Sequence, residues 1–297
     1  MPKVPGVDHR FVAAGDLHFH VAVAGEGDPV LLVHGWPEHW YAWRDVIPML
    51  AASHQVLAVD LRGFGWTEIA WRGFELETLA GDLAAVIAAL ELDRVAVVGH
   101  DVGASVGFEL AFRHPERVSR LVALASPSPW DRGRLLSAPD LRRRGRSLLV
   151  ASPLGPVLLR RGLGLASRQV RRLAAGRERL ADDDLRIYDR DLGASTRARA
   201  GSLLHRALLA RELRGRGGAE RNLEAPTLVV RGERDRLVAA DAFAGAERHA
   251  AELRTETLPG AGHYLPEEAP EAVAQLTLDF LDRGGEPAPA APAGAQG

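Results

Sequence analysis

Apolar and polar residues alternate from 17 to 23 (LHFHVAV), the two-residue period of a strand with one face in solvent, and Gly25-Glu26-Gly27-Asp28 ends it. That strand is expected on the outside of a sheet. The runs that follow have another character: 29–33, 56–59 and 95–98 are apolar without a break, as in strands buried on both faces of a parallel sheet. A helical period at 79–90 separates the second run from the third, and another at 104–113 follows the third. Residues 120–125 and 225–231 read as further strands, and 270–281 as a closing helix. The alternation predicts an α/β fold, a mostly parallel central sheet flanked by helices.

Strand signals stop between about 131 and 221, where helical, arginine-rich segments take over (141–146, 160–161, 171–172, 197–211). This predicts an inserted helical cap at 131–221 on a core made of 1–130 and 222–285. Tyr188 is the only Phe, Trp or Tyr of that insertion, so its apolar face must come from Leu, Val and Ala, and its arginines are expected on a solvated outer face. The tail, 286–297, is almost all Pro, Ala and Gly and is expected to be disordered. No internal repeat is found.

Bulk properties narrow the function. A chain of 297 residues, 46% hydrophobic, suits one large domain carrying an insertion. A formal net charge of −2 favours neither nucleic acid nor an acidic membrane as partner. With no cysteine there is no disulfide, thiol catalysis or thiolate metal site. No window approaches the roughly 18 apolar residues of a membrane helix, and the first residues lack the apolar core of a signal peptide. A cytoplasmic protein, monomer or homodimer, acting on a small molecule and water, is the expectation.

The chemistry concentrates at strand ends. The run at 95–98 leads into Gly99-His100-Asp101-Val102-Gly103, built like the G-x-S-x-G elbow but with aspartate where serine is usual. Alone, such a pentapeptide is an ordinary tight turn. However, His34-Gly35-Trp36-Pro37-Glu38 follows an earlier buried run, where this architecture places a second amide donor, so the Trp36 and Val102 N–H groups are expected to converge on one oxygen. Pro37 restricts Trp36 and is a place for a cis bond. His34 is expected to be a structural loop residue. Asp235 then follows the strand at 225–231, and His263 follows the last strand. The order nucleophile, acid, histidine completes a triad of Asp101, Asp235 and His263.

On these residues the chain resembles the α/β-hydrolase superfamily over almost its whole length. His34-Gly35-Trp36-Pro37 and Gly99-His100-Asp101-Val102-Gly103 are similar to its epoxide hydrolase and haloalkane dehalogenase branch, and Asp60-Leu61-Arg62-Gly63-Phe64-Gly65 also matches as a structural loop under the site. A carboxylate attacking an acyl carbon would give an anhydride, so an sp³ carbon is the expected electrophile. Displacement of an epoxide oxygen or a halide leaves an alkyl ester on Asp101. Water activated by His263 cleaves it while the Trp36 and Val102 amides hold the oxyanion, each such donor worth about 2.7–4 kcal/mol.

The resemblance implies tyrosine proton donors in the cap for epoxides, and a tryptophan after the nucleophile for halides. Val102 removes that halide donor. His205 stands where relatives carry the tyrosine, so Tyr188 and His205 are the candidate proton donors or leaving-group binders of the cap, and Tyr264 is expected to be structural. The reading is epoxide hydrolysis to a vicinal diol. The alternatives are dehalogenation of a haloalkane or haloacid, and a non-catalytic small-molecule-binding homologue. No cofactor and no metal are expected: Gly162-Leu163-Gly164 follows no strand, His18 and His20 lack a third ligand, and Asp182-Asp183-Asp184 reads as a solvated turn or helix start.

Overall fold

A computed structural model describes residues 1–130, 145, 147–160, 164–214 and 221–282. Its strands are β1 (Asp8–Ala14), β2 (Leu17–Ala24), β3 (Asp28–Val33), β4 (His54–Val59), β5 (Val95–His100), β6 (Val118–Leu124), β7 (Thr227–Gly232) and β8 (Leu253–Leu258). They form one sheet in the order β1-β2-β4-β3-β5-β6-β7-β8. β1 and β2 pair antiparallel, as do β2 and β4, and every later pairing is parallel. The three unbroken apolar runs occupy β3, β4 and β5, side by side at the centre, where Val30–Val33 and Val95–Val98 are shielded on both faces.

The helices are α1 (Ile47–Leu50), α2 (Leu76–Ala89), α3 (Val102–Arg113), α4 (Gly155–Arg160), α5 (Leu165–Leu173), α6 (Asp182–Gly193), α7 (Ser195–Leu213), α8 (Leu265–Glu268) and α9 (Pro270–Asp282). Asp182, Asp183 and Asp184 make the first turn of α6, where carboxylates favour the positive end of the helix dipole. No described helix is long and apolar enough to cross a membrane.

Two expectations are corrected. The alternating strand is not outermost: β1, which has no strong apolar signature, covers its edge, and only His18 of β2 is exposed. His20 on the supposedly wet face is buried, with Nδ1 at 2.7 Å from an Asp60 carboxylate oxygen and Nε2 at 3.0 Å from His9. The cap arginines are not simply a solvated face either. Arg197 donates to the Thr67 carbonyl of the sheet layer at 2.9 Å, and Arg211 reaches Glu77 of α2 at 3.0 Å and Glu109 of α3 at 3.3 Å.

Between β6 and β7, the described chain builds helices, α4 to α7, and a single bridge from Leu223 to Ala250, and the helices are tied to the sheet layer by side chains. Arg44 grips Glu267 through two parallel hydrogen bonds of 2.9 and 2.8 Å and faces Asp184 at 3.1 Å, and the Tyr188 hydroxyl donates to the same Glu267. Both Glu267 and Tyr188 are buried. Gly162 and Leu163, the segment 141–144 and the tail 286–297 lie outside the described residues.

Candidate active site

β5 ends in a turn that the sequence can make only because its flanks are small. Asp101 has φ of 52° and ψ of −118°, a conformation that costs an ordinary residue about 1–3 kcal/mol. A side chain at Gly99 would come within 2.5 Å of the Ala104 backbone, and one at Gly103 within 2.2 Å of the Val33 carbonyl. The turn thus lifts the Asp101 carboxylate above the sheet at the head of α3, 26% exposed. The Trp36 amide donates to its Oδ2 at 3.1 Å, across from the loop after β3. Val102 contributes the first amide of α3 beside it. The Trp36–Pro37 peptide is cis.

Asp235 and His263 come from the loops after β7 and β8. One Asp235 oxygen accepts from the Leu237 and Val238 amides at 2.7 and 3.2 Å, while the other lies 2.9 Å from His263 Nδ1. The His263 ring is thereby turned so that Nε2 stands 3.7 Å from Asp101 Oδ1. Burial alone would strip the proton from His263, yet the flanking Asp101 and Asp235 carry its pKa up to about 10. Burial also works against charge on Asp101, but His263, His100 and the Trp36 amide hold its pKa below the usual carboxylate value. The resting site is an imidazolium between two carboxylates.

Sequence reasoning missed the groups beneath. His100 is buried, with Nδ1 at 2.9 Å from Glu38 Oε2 and Nε2 at 2.9 Å from the His263 carbonyl. Both partners are acceptors, so both ring nitrogens must donate and His100 is cationic. Burial opposes that charge and Glu38 restores it, leaving the pKa raised. Three loops, carrying Trp36, Asp101 and His263, are therefore joined by Glu38 and His100. The available signal was a histidine ending an apolar strand directly after the motif glycine Gly99.

Asp101 and His263 open into a cavity of about 310 Å³, walled largely by apolar groups that include Trp36, Val102, Phe108, Leu208 and Tyr264. His205 is in this wall, edge-on to the Trp36 ring at 4.5 Å. Its Nδ1–H donates to the Gly201 carbonyl at 2.8 Å, and burial lowers its pKa, so it stands neutral with a lone pair on Nε2. Gly201 is tight, since a Cβ there would meet Trp36 Nε1 at 3.0 Å.

Tyr188 is not brought to the cavity. Its hydroxyl is committed to Glu267, and its ring packs against His39 and Tyr41. Tyr264 lines the cavity, and its hydroxyl donates to the Trp36 carbonyl at 3.4 Å. His34 is a loop brace: Nδ1–H donates to Gly35 O, and Nε2 accepts from the Leu61 amide. Asp60 organises the loop below, accepting from the Trp40 and Trp66 amides at 2.7 and 2.9 Å. Among the described residues no three His, Asp or Glu side chains are grouped to hold a metal.

Chemically, the arrangement offers an anionic oxygen on a fixed turn, an amide donor on its partner oxygen, and a histidine oriented by a second carboxylate. A family model for the alpha/beta hydrolase fold matches residues 28–270. A relative named soluble epoxide hydrolase, from Corynebacterium sp. (strain C12), is 42% identical over 118 residues, 40% of this chain and 41% of that protein. Epoxide hydrolase 3 of Xenopus tropicalis is 28% identical over 92% of this chain and 77% of its own length. A solved structure titled epoxide hydrolase CorEH without ligand superposes with a TM-score of 0.85 at 27% identity, covering 93% of this chain and 99% of that one.

Proposed function

The chain belongs to the alpha/beta hydrolase fold family and is an enzyme of the hydrolase type, and from that premise we propose that it opens epoxides to vicinal diols through an alkyl ester on Asp101. The observation that carries the reading is the aspartate itself, held at a positive φ with the Trp36 amide on one oxygen and His263 beside the other. In the first step an Asp101 oxygen attacks a ring carbon, the C–O bond breaks, and the alkoxide takes up a proton. The carboxylate charge that sustained the His263 proton disappears with ester formation. His263 therefore sheds its proton, the count the alkoxide requires, and becomes the neutral base that step two needs.

In step two His263 takes a proton from water, and the hydroxide adds to the Asp101 carboxyl carbon. The tetrahedral oxyanion would lie at the Trp36 and Val102 amides; its collapse releases the diol, which receives the proton from His263, and the second water proton, left on the Asp101 carboxyl, passes to His263 and restores the resting pair. His205 sits in the wall where the alkoxide forms. Being neutral, it serves there as a relay that accepts a proton on Nε2 and passes it on, rather than as a standing acid. A small-molecule substrate fits the cavity's size and apolar wall.

The test is intact mass of His263→Ala protein after exposure to a panel of epoxides and haloalkanes, with Asp101→Asn as control. A stable adduct of the whole epoxide mass, absent from the control, is expected. An adduct equal to a haloalkane less hydrogen halide would instead establish carbon–halogen cleavage, for which the buried, unpartnered Trp36 Nε1–H is the available halide donor. No adduct from any compound would overturn the epoxide reading and leave a substrate class outside the panel, or binding without turnover, as the alternatives.

A further inference from the structure

Five arginines of the α4–α7 segment sit against acids. Arg171, Arg179, Arg186, Arg197 and Arg211 each face a carboxylate within 4.0 Å: Asp182, Glu271, Asp183, Asp191 and the Glu77–Glu109 pair. Arg160, Arg199 and Arg206 line a single groove of about 470 Å³ instead, and no acidic side chain lines it with them. Arg160 ends α4, while Arg199 and Arg206 are seven residues apart on one face of α7, two turns along the same stripe. All three are exposed.

Three like charges brought to one groove repel each other, an arrangement that an anion would relieve. A second feature points the same way. Ser202, on that face of α7 and lining the groove, is 1% exposed, and its hydroxyl has no hydrogen-bond partner. A buried hydroxyl left unmatched keeps its desolvation cost uncompensated, so native proteins seldom carry one without a use. Ser195 and Thr196 add hydroxyls at the first turn of the same helix, whose amides have no partners within the helix. Trp71, 57% exposed, walls the groove, with the Arg199 guanidinium 4.8 Å from its ring centre, and Pro153 and Pro156 share the lining.

We propose that this groove, separate from the Asp101 cavity, is a binding site for a phosphate monoester. Three guanidinium groups on one groove, two from the same stripe of α7 and one from the end of α4, suit a dianion better than a singly charged carboxylate. The hydroxyls of Ser195, Thr196 and Ser202 supply neutral donors, and Trp71 with the two prolines receives the apolar part of the ester. The stripe of α7 that would hold it adjoins the face that carries His205 in the catalytic cavity, Ser202 lying one turn before His205.

The experiment is calorimetric titration of the full chain with phenyl phosphate, inorganic phosphate and benzoate, on the native protein and on Arg160→Gln and Arg199→Gln. Neither arginine makes a hydrogen bond or ion pair among the described residues, so both variants are expected to fold. Arg206 is left in place because it donates to the Ala151 and Ser152 carbonyls. One phenyl phosphate per chain is expected, with each variant weakening it about tenfold, as for one lost charge-assisted contact. Benzoate should bind at least about tenfold more weakly, and Asp101→Asn should bind as the native protein does. Phenyl phosphate quenching of tryptophan fluorescence should vanish in Trp71→Phe. If inorganic phosphate matches phenyl phosphate, the ester's apolar part has no place in the groove and the proposal fails in that respect. Absence of binding, or binding unchanged in both arginine variants, overturns it altogether.

Discussion

The two sides of the catalytic cavity are held by different means. On the sheet side, backbone places each group: the positive φ of Asp101, the Trp36 amide, and the Leu237 and Val238 amides that set Asp235. On the helical side, α4 to α7 are held by side-chain ties over long chain separations: Tyr188 on Glu267, Arg44 on Asp184, Arg197 on Thr67, and Arg211 on Glu109. Backbone placement fixes geometry to fractions of an ångström and tolerates little change. Side-chain ties can differ in strength while the chemistry beneath stays the same. Damage to the first side should therefore stop turnover without melting the protein, and damage to the second should do the reverse.

The sharpest break is Asp101→Asn, expected to abolish turnover by about 10⁴-fold or more while the thermal midpoint stays within a few degrees of native. Asp235→Asn comes close behind, on the order of 10⁴-fold in the step that consumes the ester, because His263 loses the acceptor that fixes its tautomer. Rapid-quench kinetics should show ester accumulating in that variant, and equal slowing of both steps would sink the assignment.

Across the cavity, Glu267→Gln leaves Arg44 with only Asp184 and Asp45 nearby and should cost about 3 kcal/mol in urea unfolding. Its single-turnover alkylation rate at low temperature should stay close to native. A large rate loss would mean that the ties on α4 to α7 also set catalytic geometry.

Two pH experiments refine the contrast. His263 is raised from about 6.5 when unfolded to about 10 when folded, so its contribution is full below pH 6.5 and is lost as pH rises through 10. Stability should decline between pH 7 and 10, and His263→Ala should flatten that slope. Asp191 behaves in the same sense with smaller effect. Burial, against the pull of Arg197 at 3.7 Å, raises it to about 7, so it is an increasing liability from pH 4 to 7 and above. Asp191→Asn should gain on the order of 2 kcal/mol at pH 8 and little at pH 5. Equal effects at both would show that packing, not ionisation, decides there.

What could be read from the chain follows the same division. The parallel sheet was legible because unbroken apolar runs and motif glycines are local signals. Asp101 and Asp235 were legible because each follows such a run, and His263 because it comes next in the order nucleophile, acid, histidine; the structure brings the three together. Contacts without a local signature were not legible. Tyr188 looked like a donor because it is the one large aromatic of its region, but its partner Glu267 lies 79 residues away and outside any motif. Glu38 and His100 sat inside the motifs themselves. Their pairing appears only when strands 62 residues apart place them within 2.9 Å. β1 escaped notice because an exposed edge strand need not be apolar.

The helices α4 to α7 leave the sheet after β6 and rejoin it at β7, and those strands are neighbours, with Leu121 opposite Thr227. Departure and return are thus one strand spacing apart, about 4.8 Å. For protein engineers, this is a cassette boundary. Everything between β6 and β7 can be exchanged with a relative's segment of another length without re-routing a strand, and the loops bearing Asp101, Asp235 and His263 stay outside the exchanged stretch. Part of the cavity wall, His205 and Leu208 included, is thus encoded in a stretch separate from those that carry Asp101, Asp235 and His263.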